Sequence, residues 1–470
     1  MIRSLLVTAM LGVLCAKAPA AEDITVVPRI EGDWWTVAHN PDLGACTSDR
    51  QQPVDFAVWQ AADGVWQLWS CIRFTRLGGH TRLFYRWEGK NLTDHDWEPG
   101  GIAMEADPAL GEPPGGLQAP HVVRWNGLYH MAYGDWDHLC FATSEDGKRF
   151  TRRILANGQT GVFTEGPGQN TRDPVLLFTR NRWHLYYTAF PRGKGYVFCR
   201  TSPDLHDWSD SMIVAYGGRA GNHPFSCECP HVVETEPGLY HLFRTQMYGE
   251  GAQTSVYQSR NPYNFGIDDD HGFVCTLPVA APEIILHDGQ YYIAALLPSL
   301  QGIQIARLTF LAERAVPVFA FDSPEARAQW RVAEGELPNP FTASIRSNFY
   351  PPMQHFIGTA ELPGESVAHD ELVAVVESPE FIVEHSSYRL AVSGGIDEAR
   401  VYCALVDAET GALLWKTTGN GSNHFGNVRA EWQEFQGKRV RLRVVDQSTA
   451  AWGHINFGGL YAMLPIDKKP

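Results

Sequence analysis

The stretch Asn170-Thr171-Arg172-Asp173-Pro174-Val175-Leu176-Leu177-Phe178 sets an arginine, a carboxylate and a proline directly before an apolar run. Ten residues past the Asp the chain resumes as Trp183-His184-Leu185-Tyr186-Tyr187, an alternating aromatic strand. The same unit recurs. Val54-Asp55-Phe56-Ala57-Val58-Trp59 is followed by Asp63-Gly64 and Val65-Trp66-Gln67-Leu68-Trp69. Ala119-Pro120-His121-Val122-Val123 is followed by Asn126-Gly127 and Leu128-Tyr129-His130-Met131-Ala132. Glu228-Cys229-Pro230-His231-Val232-Val233 leads through Pro237-Gly238 to Leu239-Tyr240-His241-Leu242-Phe243. Ala281-Pro282-Glu283-Ile284-Ile285 leads through Asp288-Gly289 to Gln290-Tyr291-Tyr292-Ile293-Ala294.

Each unit is an apolar strand, a Gly or Asn turn and a second aromatic strand, which is hairpin chemistry. Five units spaced roughly 50 to 65 residues apart, with no convincing helix-period stretch between them, predict an all-β fold. The expected architecture is a five-bladed β-propeller over residues 21–315, followed by a C-terminal β-sandwich over residues 316–470. The repeat ends after Phe310. Short strands such as Tyr388-Arg389-Leu390-Ala391-Val392 and Val440-Arg441-Leu442-Arg443-Val444-Val445 then alternate with Gly-rich turns. Residues 21–50 read as irregular, with Trp34 and Trp35 as aromatic anchors.

The 470 residues exceed one ordinary core, which makes two domains the expectation. A formal net charge of −15 excludes a nucleic-acid footprint and is compatible with a neutral sugar. Fifteen Trp and seventeen Tyr suit strands and sugar-stacking surfaces. Arg3, the apolar run Leu5 to Cys15 and Ala18-Pro19-Ala20 form a secretory signal over residues 1–20, so a secreted or periplasmic protein is expected. The run is too short to span a bilayer, and Leu14 argues against a lipoprotein site at Cys15. Eight further cysteines permit disulfides, while Cys227-x-Cys229 alone is a weak metal signal. The histidines show no metal-ligand spacing, so neither a metal nor a cofactor is expected. His121 and His231 read as plain strand residues, and Asp268-Asp269-Asp270 as a solvated loop.

In a propeller the innermost strands face one funnel, so acids that open them converge although far apart in sequence. Asp55, Asp173, Glu228 and Glu283 hold such places. Splitting a glycosidic bond needs an acid for the leaving oxygen and a second carboxylate as nucleophile or base. A third can hold sugar hydroxyls. Glu228, among Cys227, Cys229 and Pro230, is placed for the desolvation that a general acid needs.

Arg172-Asp173-Pro174 and Glu228-Cys229-Pro230 resemble two of the three signatures of glycoside hydrolase family 32, the β-fructosidases, and more broadly the family 43 and 68 propellers. The family's first signature, Trp-Met-Asn-Asp-Pro-Asn-Gly, is absent. Asp55 is its best positional match and Asp42 the second. The resemblance implies Asp55 as nucleophile, Asp173 as transition-state stabiliser, Glu228 as acid/base and Arg172 as a hydroxyl-binding neighbour. Gln52, Trp34 and Glu283 complete the candidate substrate-binding set. Glu165 in Glu165-Gly166-Pro167 resembles the family 43 acid and is the alternative to Glu228, while Gly79-His80 resembles a further family segment. Ser378-Pro379-Glu380-Phe381-Ile382-Val383 and Trp452-Gly453-His454-Ile455-Asn456 resemble the sandwich modules of levanases, and this C-terminal region either binds sugar or props the propeller.

The leading expectation is therefore an exported retaining β-fructosidase acting on an oligo- or polysaccharide, with no protein partner. The rivals are an inverting arabinofuranosidase- or galactosidase-type enzyme on the same propeller and a non-catalytic glycan-binding protein.

Overall fold

The computed structural model describes residues 24–344, 346, 349, 351 and 353–466, so the leader expected over residues 1–20 lies outside the described residues. Nearly all regular structure is β. A single α-helical turn, Pro324–Arg327, is capped by the Ser323 hydroxyl. Among the described residues no helix is long and apolar enough to cross a membrane.

Four repeats fold as separate four-stranded antiparallel sheets. The first comprises Gln52–Gln60, Trp66–Arg73, Leu83–Gly89 and Glu98–Met104. The second is Gln118–Trp125, Leu128–Gly134, Leu139–Ser144 and Thr151–Arg152. Arg172–Thr179, Arg182–Ala189, Tyr196–Ser202 and Met212–Ala215 form the third, and Glu228–Glu236, Leu239–Met247, Gln253–Ser259 and Phe273–Leu277 the fourth. The hairpins follow their turn chemistry. Asn126-Gly127 and Asp288-Gly289 take positive φ at both central positions, and Arg180-Asn181 does so without glycine.

A fifth set runs Glu283–His287, Gln290–Leu296, Gly302–Phe319 and then Ile24–His39. Its last strand comes from the start of the chain, in register from Ile24↔Arg314 to His39↔Gly302. This corrects the expected irregular stretch at residues 21–50. The segment Val26-Val27 to Val37-Ala38 is a strand buried at both ends, and its polar middle Glu31-Gly32-Asp33 bulges out. The first strands of the five sets touch in the cyclic order one, two, three, four, five and back to one. The chain thus forms a closed ring about a central axis, and pairing its first strand with its last sheet locks that ring without a covalent link.

The strand Gly302–Phe319 does not stop at the ring. Along one edge its partner changes from Gln290–Leu296, which reaches Leu308, to Ile455–Pro465, which begins at Glu313, while Ile24–His39 holds the other edge as far as Arg314. Beyond it lie two sheets. One holds Ile455–Pro465, Ser387–Gly394 and Ser422–Glu431, and the other holds Arg331–Gly335, Ala374–Glu377, Arg439–Asp446, Val401–Asp407 and Leu413–Thr417. Leu390, Phe457 and Leu460 from the first and Val376, Leu405 and Leu442 from the second share one buried core. Asp270 reaches this region from the ring. It is fully buried, accepts the Arg219 N–H at 2.8 Å and lies 3.4 Å from the Asn420 amide, so of the expected solvated loop at residues 268–270 Asp268 is exposed while Asp270 is a structural anchor.

All eight described cysteines are free thiols. Cys227 donates to the Gly195 carbonyl and Cys403 is buried in the C-terminal core, so the permitted disulfides are not formed.

Glu313 sits where the long strand changes partners. Its carboxylate accepts both Arg429 nitrogens at 2.7 and 3.0 Å, with Arg29 at 3.5 Å, and its side chain is 5% exposed. Removing the Glu313 charge leaves the largely buried Arg429 with only the half-exposed Glu431, 2.7 Å from its Nε. Glu313→Gln is expected to lower stability by roughly 3 kcal/mol, read as a lower urea midpoint at unchanged slope.

Candidate functional site

The site is built where first strands begin and second strands end, which antiparallel pairing brings to one rim of the ring. Each first strand opens on a residue with left-handed backbone: Asp55 (φ 39°), Ala119 (39°), Asp173 (55°), Cys229 (45°) and Ala281 (49°). In the first four sheets the register slips at that residue, between Val54 and Phe56, Gln118 and His121, Arg172 and Val175, and Glu228 and His231. A proline follows in four of the five cases. Proline has no N–H for the ladder, so the strand bulges and the preceding residue is pushed off the sheet toward the axis. The five left-handed residues line one narrow channel with Pro120, Pro174, Pro230 and Glu283.

This register corrects the expected equivalence of the four acids. Asp55 and Asp173 are equivalent. Glu228 stands one residue earlier, in the place of Gln118 and Arg172, while Cys229 takes the Asp position. Glu283 stands two residues later, level with His121 and His231.

The offset does not separate the catalytic candidates. The Cys229 thiol donates to Asp55 Oδ1 at 3.2 Å, and the Cys229 N–H donates to Asp173 Oδ2 at 2.9 Å. The Arg172 guanidinium donates to Glu228 Oε1 at 2.8 Å and lies 3.7 Å from Asp173 Oδ2. Arg82 lies 3.7 Å from Asp55 Oδ2. Asp55, Asp173, Glu228 and Arg172 thus form one cluster, as expected. Asp55, Glu228 and Arg172 border a cavity of about 450 Å³ whose other walls are Arg73, Arg82, Gln118, Trp136, Asn170, Phe190, Phe225 and Tyr248, while Asp173 lines the channel that shares Asp55 with it.

Burial falls unevenly on the acids. The Asp173 side chain is 3% exposed and that of Glu228 is 18% exposed. Desolvation pushes the Asp173 carboxyl up to about 7; the Asp55 and Glu228 charges add to this, while Arg172 and the Cys229 N–H oppose it. The apolar setting expected around Glu228 is replaced by the Arg172 guanidinium, and the strongly desolvated acid is Asp173. Burial also raises the Cys229 thiol well above its usual range, which keeps it a neutral donor.

Three buried acceptors here have no partner: Asp173 Oδ1, Asn170 Oδ1 and Gln118 Oε1. Buried polar atoms are nearly always paired, and a hydroxyl-rich ligand would supply the missing donors. The aromatic wall is ordered. His80 stacks on Trp136 at 3.8 Å, Arg82 lies over the same ring at 5.1 Å, and Arg172 lies 5.5 Å from the Phe190 ring centre.

Other candidates fall elsewhere. Trp34 packs on the apolar cluster of the fifth sheet, away from the cavity, because it belongs to the closing strand. Gln52 holds Arg73, accepting from Nε and Nη2 at 3.0 and 2.8 Å, and does not line the cavity itself. Asp42 caps a turn through the Gly44 N–H and the Thr47 hydroxyl. Glu165, the alternative acid, is spent on Tyr187 at 2.6 Å, Arg200 at 3.1 Å and Ser211 at 3.1 Å.

Glu283 lines the channel beneath the cavity. Its carboxylate and the imidazoles of His121 and His231 offer ligand atoms within 4.8 Å of one another. Burial drives His121 down to about 3, leaving a neutral imidazole of the kind metal ions bind. These residues come from three sheets, which is why no local spacing announced them.

Four of the cavity residues missed in the sequence share one address, while Gln118, Asn170 and Phe225 lie at or before first strands and Arg82 precedes a third strand. Arg73 ends a second strand, and Trp136, Phe190 and Tyr248 follow second strands by one or two residues. The available signal was therefore the end of each second aromatic strand, paired with the start of each first.

No protein-family model matches the chain. It is 22% identical over 172 residues to a probable sucrose-6-phosphate hydrolase of Vibrio cholerae, a match spanning 35% of this chain and 29% of that protein. Among solved structures, the endo-arabinase of Bacteroides thetaiotaomicron aligns over 60% of this chain and 99% of its own at 13% identity, with a TM-score of 0.42. A thermostable family-43 glycoside hydrolase aligns over 58% and 92% at 14% identity and a TM-score of 0.40. An exo-β-1,3-galactanase of Phanerochaete chrysosporium aligns over 93% and 100% at 9% identity and a TM-score of 0.38.

The raised Asp173 carboxyl has a readable consequence. Its native pKa of about 7 lies above the ordinary 3.8, so the folded state binds the proton more tightly. Stability is therefore lost as pH rises from about 4 to about 7. Asp173→Asn removes that component. The variant should melt about 2–4 °C above the parent at pH 8, with the gap closing toward pH 4.5. Asp446, also raised to about 7, is present in both proteins, so the difference isolates Asp173.

Proposed function

We propose that this chain is a glycoside hydrolase in which a five-bladed propeller carries the site and a C-terminal β-sandwich packs against it. The observation that carries the reading is the clustering of Asp55, Asp173 and Glu228 where an aromatic-walled cavity meets the axial channel, with three buried acceptors unpartnered among the described residues. A pair of carboxylates supplies the chemistry of glycosidic cleavage, and the orphaned acceptors supply places for sugar hydroxyls.

The roles follow from how each acid is held. One oxygen of Asp55 accepts from Cys229 and the other faces Arg82, and this restraint supports reading it as the nucleophile. Arg172 pins Glu228 Oε1 and leaves Oε2 without a partner among the described residues, free for the leaving oxygen. Asp173 offers its unpartnered Oδ1 to a sugar hydroxyl, and a hydrogen bond there would strengthen as charge develops on the ring. Attack by Asp55 forms a glycosyl-enzyme while Glu228 gives its proton to the departing oxygen. Glu228 then takes a proton from water, which releases the sugar with retained configuration.

Within this class we read the substrate as a β-fructoside. The support is the Arg172-Asp173-Pro174 and Glu228-Cys229-Pro230 pair and the partial likeness to the Vibrio cholerae hydrolase. Export is part of the same reading and rests on Arg3, the Leu5 to Cys15 run and Ala18-Pro19-Ala20.

The test is sugar release from sucrose, inulin, levan, arabinan and β-1,3-galactan. Fructose release is expected, falling by about 10²–10⁴-fold in Glu228→Gln, with proton NMR of the first product giving a retained anomer. Release from arabinan or galactan alone would discard the fructosidase assignment. Release unaffected by Glu228→Gln would remove Glu228 from its role.

A further inference from the structure

Three guanidinium groups border the cavity, in a chain whose net charge is −15. Two are spent on the acids. Arg82 faces Asp55, and Arg172 is shared between Glu228 and Asp173. Asp173, raised to about 7, is itself part-protonated near neutral pH. The third, Arg73, has no carboxylate partner among the described residues. It lies 5.0 Å over the Phe74 ring.

The manner in which Arg73 is held is informative. Its Nε and Nη2 both donate to Gln52 Oε1, which fixes the fork in the cavity wall. Gln52 is an amide. A glutamate of the same shape would orient the guanidinium equally well and would neutralise it. The amide orients the charge and leaves it uncompensated, and no acceptor lies on Nη1 among the described residues. A pre-oriented, unneutralised guanidinium with a free edge is the geometry that binds a carboxylate or a tetrahedral oxyanion. A neutral sugar hydroxyl can accept one of its N–H groups but leaves the charge uncompensated.

We propose that the ligand of this cavity is an anionic sugar, one bearing a carboxylate, sulfate or phosphate group, and that Arg73, oriented by Gln52, receives the anion. This deepens the glycosidase reading and rests on it for the sugar, although the anion site stands on Arg73 alone. Arg73 acts on specificity and takes no part in bond cleavage.

The experiment uses monosaccharides that have no bond to cleave, so its result is independent of whether the chain hydrolyses any glycan. Binding to the full chain is measured by calorimetry for fructose 6-phosphate, galactose 6-sulfate and galacturonate, each against its neutral parent sugar. At least one anionic sugar should bind about 10- to 100-fold more tightly than its parent. The advantage should shrink as sodium chloride is raised from 20 to 300 mM (chosen assay conditions). Which of the three wins identifies the anion. In Arg73→Met and in Gln52→Glu the ratio of anionic to neutral affinity should fall to about one, while Arg73→Lys keeps part of it. Gln52→Glu changes the charge at nearly constant shape, so it reports on the proposal even where Arg73→Met is unstable. Equal affinity for every anionic and neutral pair, or an advantage that survives both Arg73→Met and Gln52→Glu, would overturn the proposal.

Discussion

Everything at the candidate site depends on the left-handed residue that opens each first strand. An L-residue other than glycine pays about 1–2 kcal/mol for that backbone, and the chain takes this conformation at Asp55, Ala119, Asp173, Cys229 and Ala281. Strained residues persist where the surrounding structure over-determines them. Here the ring does so, because each bulge is hemmed in by the next first strand round the axis. The bulge turns what would be an in-sheet residue toward the axis and exposes its N–H. At Cys229 that N–H reaches Asp173 and the thiol reaches Asp55, so one strained residue ties together acids from two other sheets.

The electrostatics follow from that convergence. Three carboxylates on one rim would repel, and the structure answers with guanidinium groups rather than with solvent. Arg172 bridges two of the acids from a position that is itself 3% exposed, so it is fully committed. The acid most deeply buried, Asp173, yields and holds its proton more tightly. The less buried Glu228 keeps one oxygen open to the cavity. Two chemically similar acids thus stand in different settings, Asp173 buried and holding its proton, Glu228 paired with Arg172 and more exposed.

Much of this was legible in the sequence, for physical reasons that differ by feature. The hairpins were readable because strand alternation and turn residues are local. Asp173, Glu228 and Arg172 were readable because X-Pro at a strand start is also local, and Asp55, whose repeat lacks the proline, was readable from its place before the first apolar strand. The closing strand was missed because its pairing with Gly302–Phe319 is a contact between the two ends of the ring, and nothing in Ile24–His39 alone demands it. The register of the acids was legible in the X-Pro alignment, which sets Glu228 level with Arg172 and Cys229 level with Asp173, and it was missed because the repeats were matched on their carboxylates and not on the proline. Trp34 was assigned to the site as an aromatic near the start of the ring. The pairing of its strand instead sends it into the fifth sheet's core.

The same reasoning separates the cavity's two kinds of wall. First-strand openings must satisfy the bulge and the axis, which restricts them to small residues, acids and residues before proline. Second-strand ends face no such constraint, and there the chain places Arg73, Trp136, Phe190 and Tyr248, with side chains that share little beyond size. The inner wall therefore carries the chemistry, and the outer wall is free to carry recognition. Gln52 shows how the two meet. It belongs to a first strand, yet its amide serves Arg73 at the end of a second. A change at such a residue alters what the cavity accepts without touching the groups that cut.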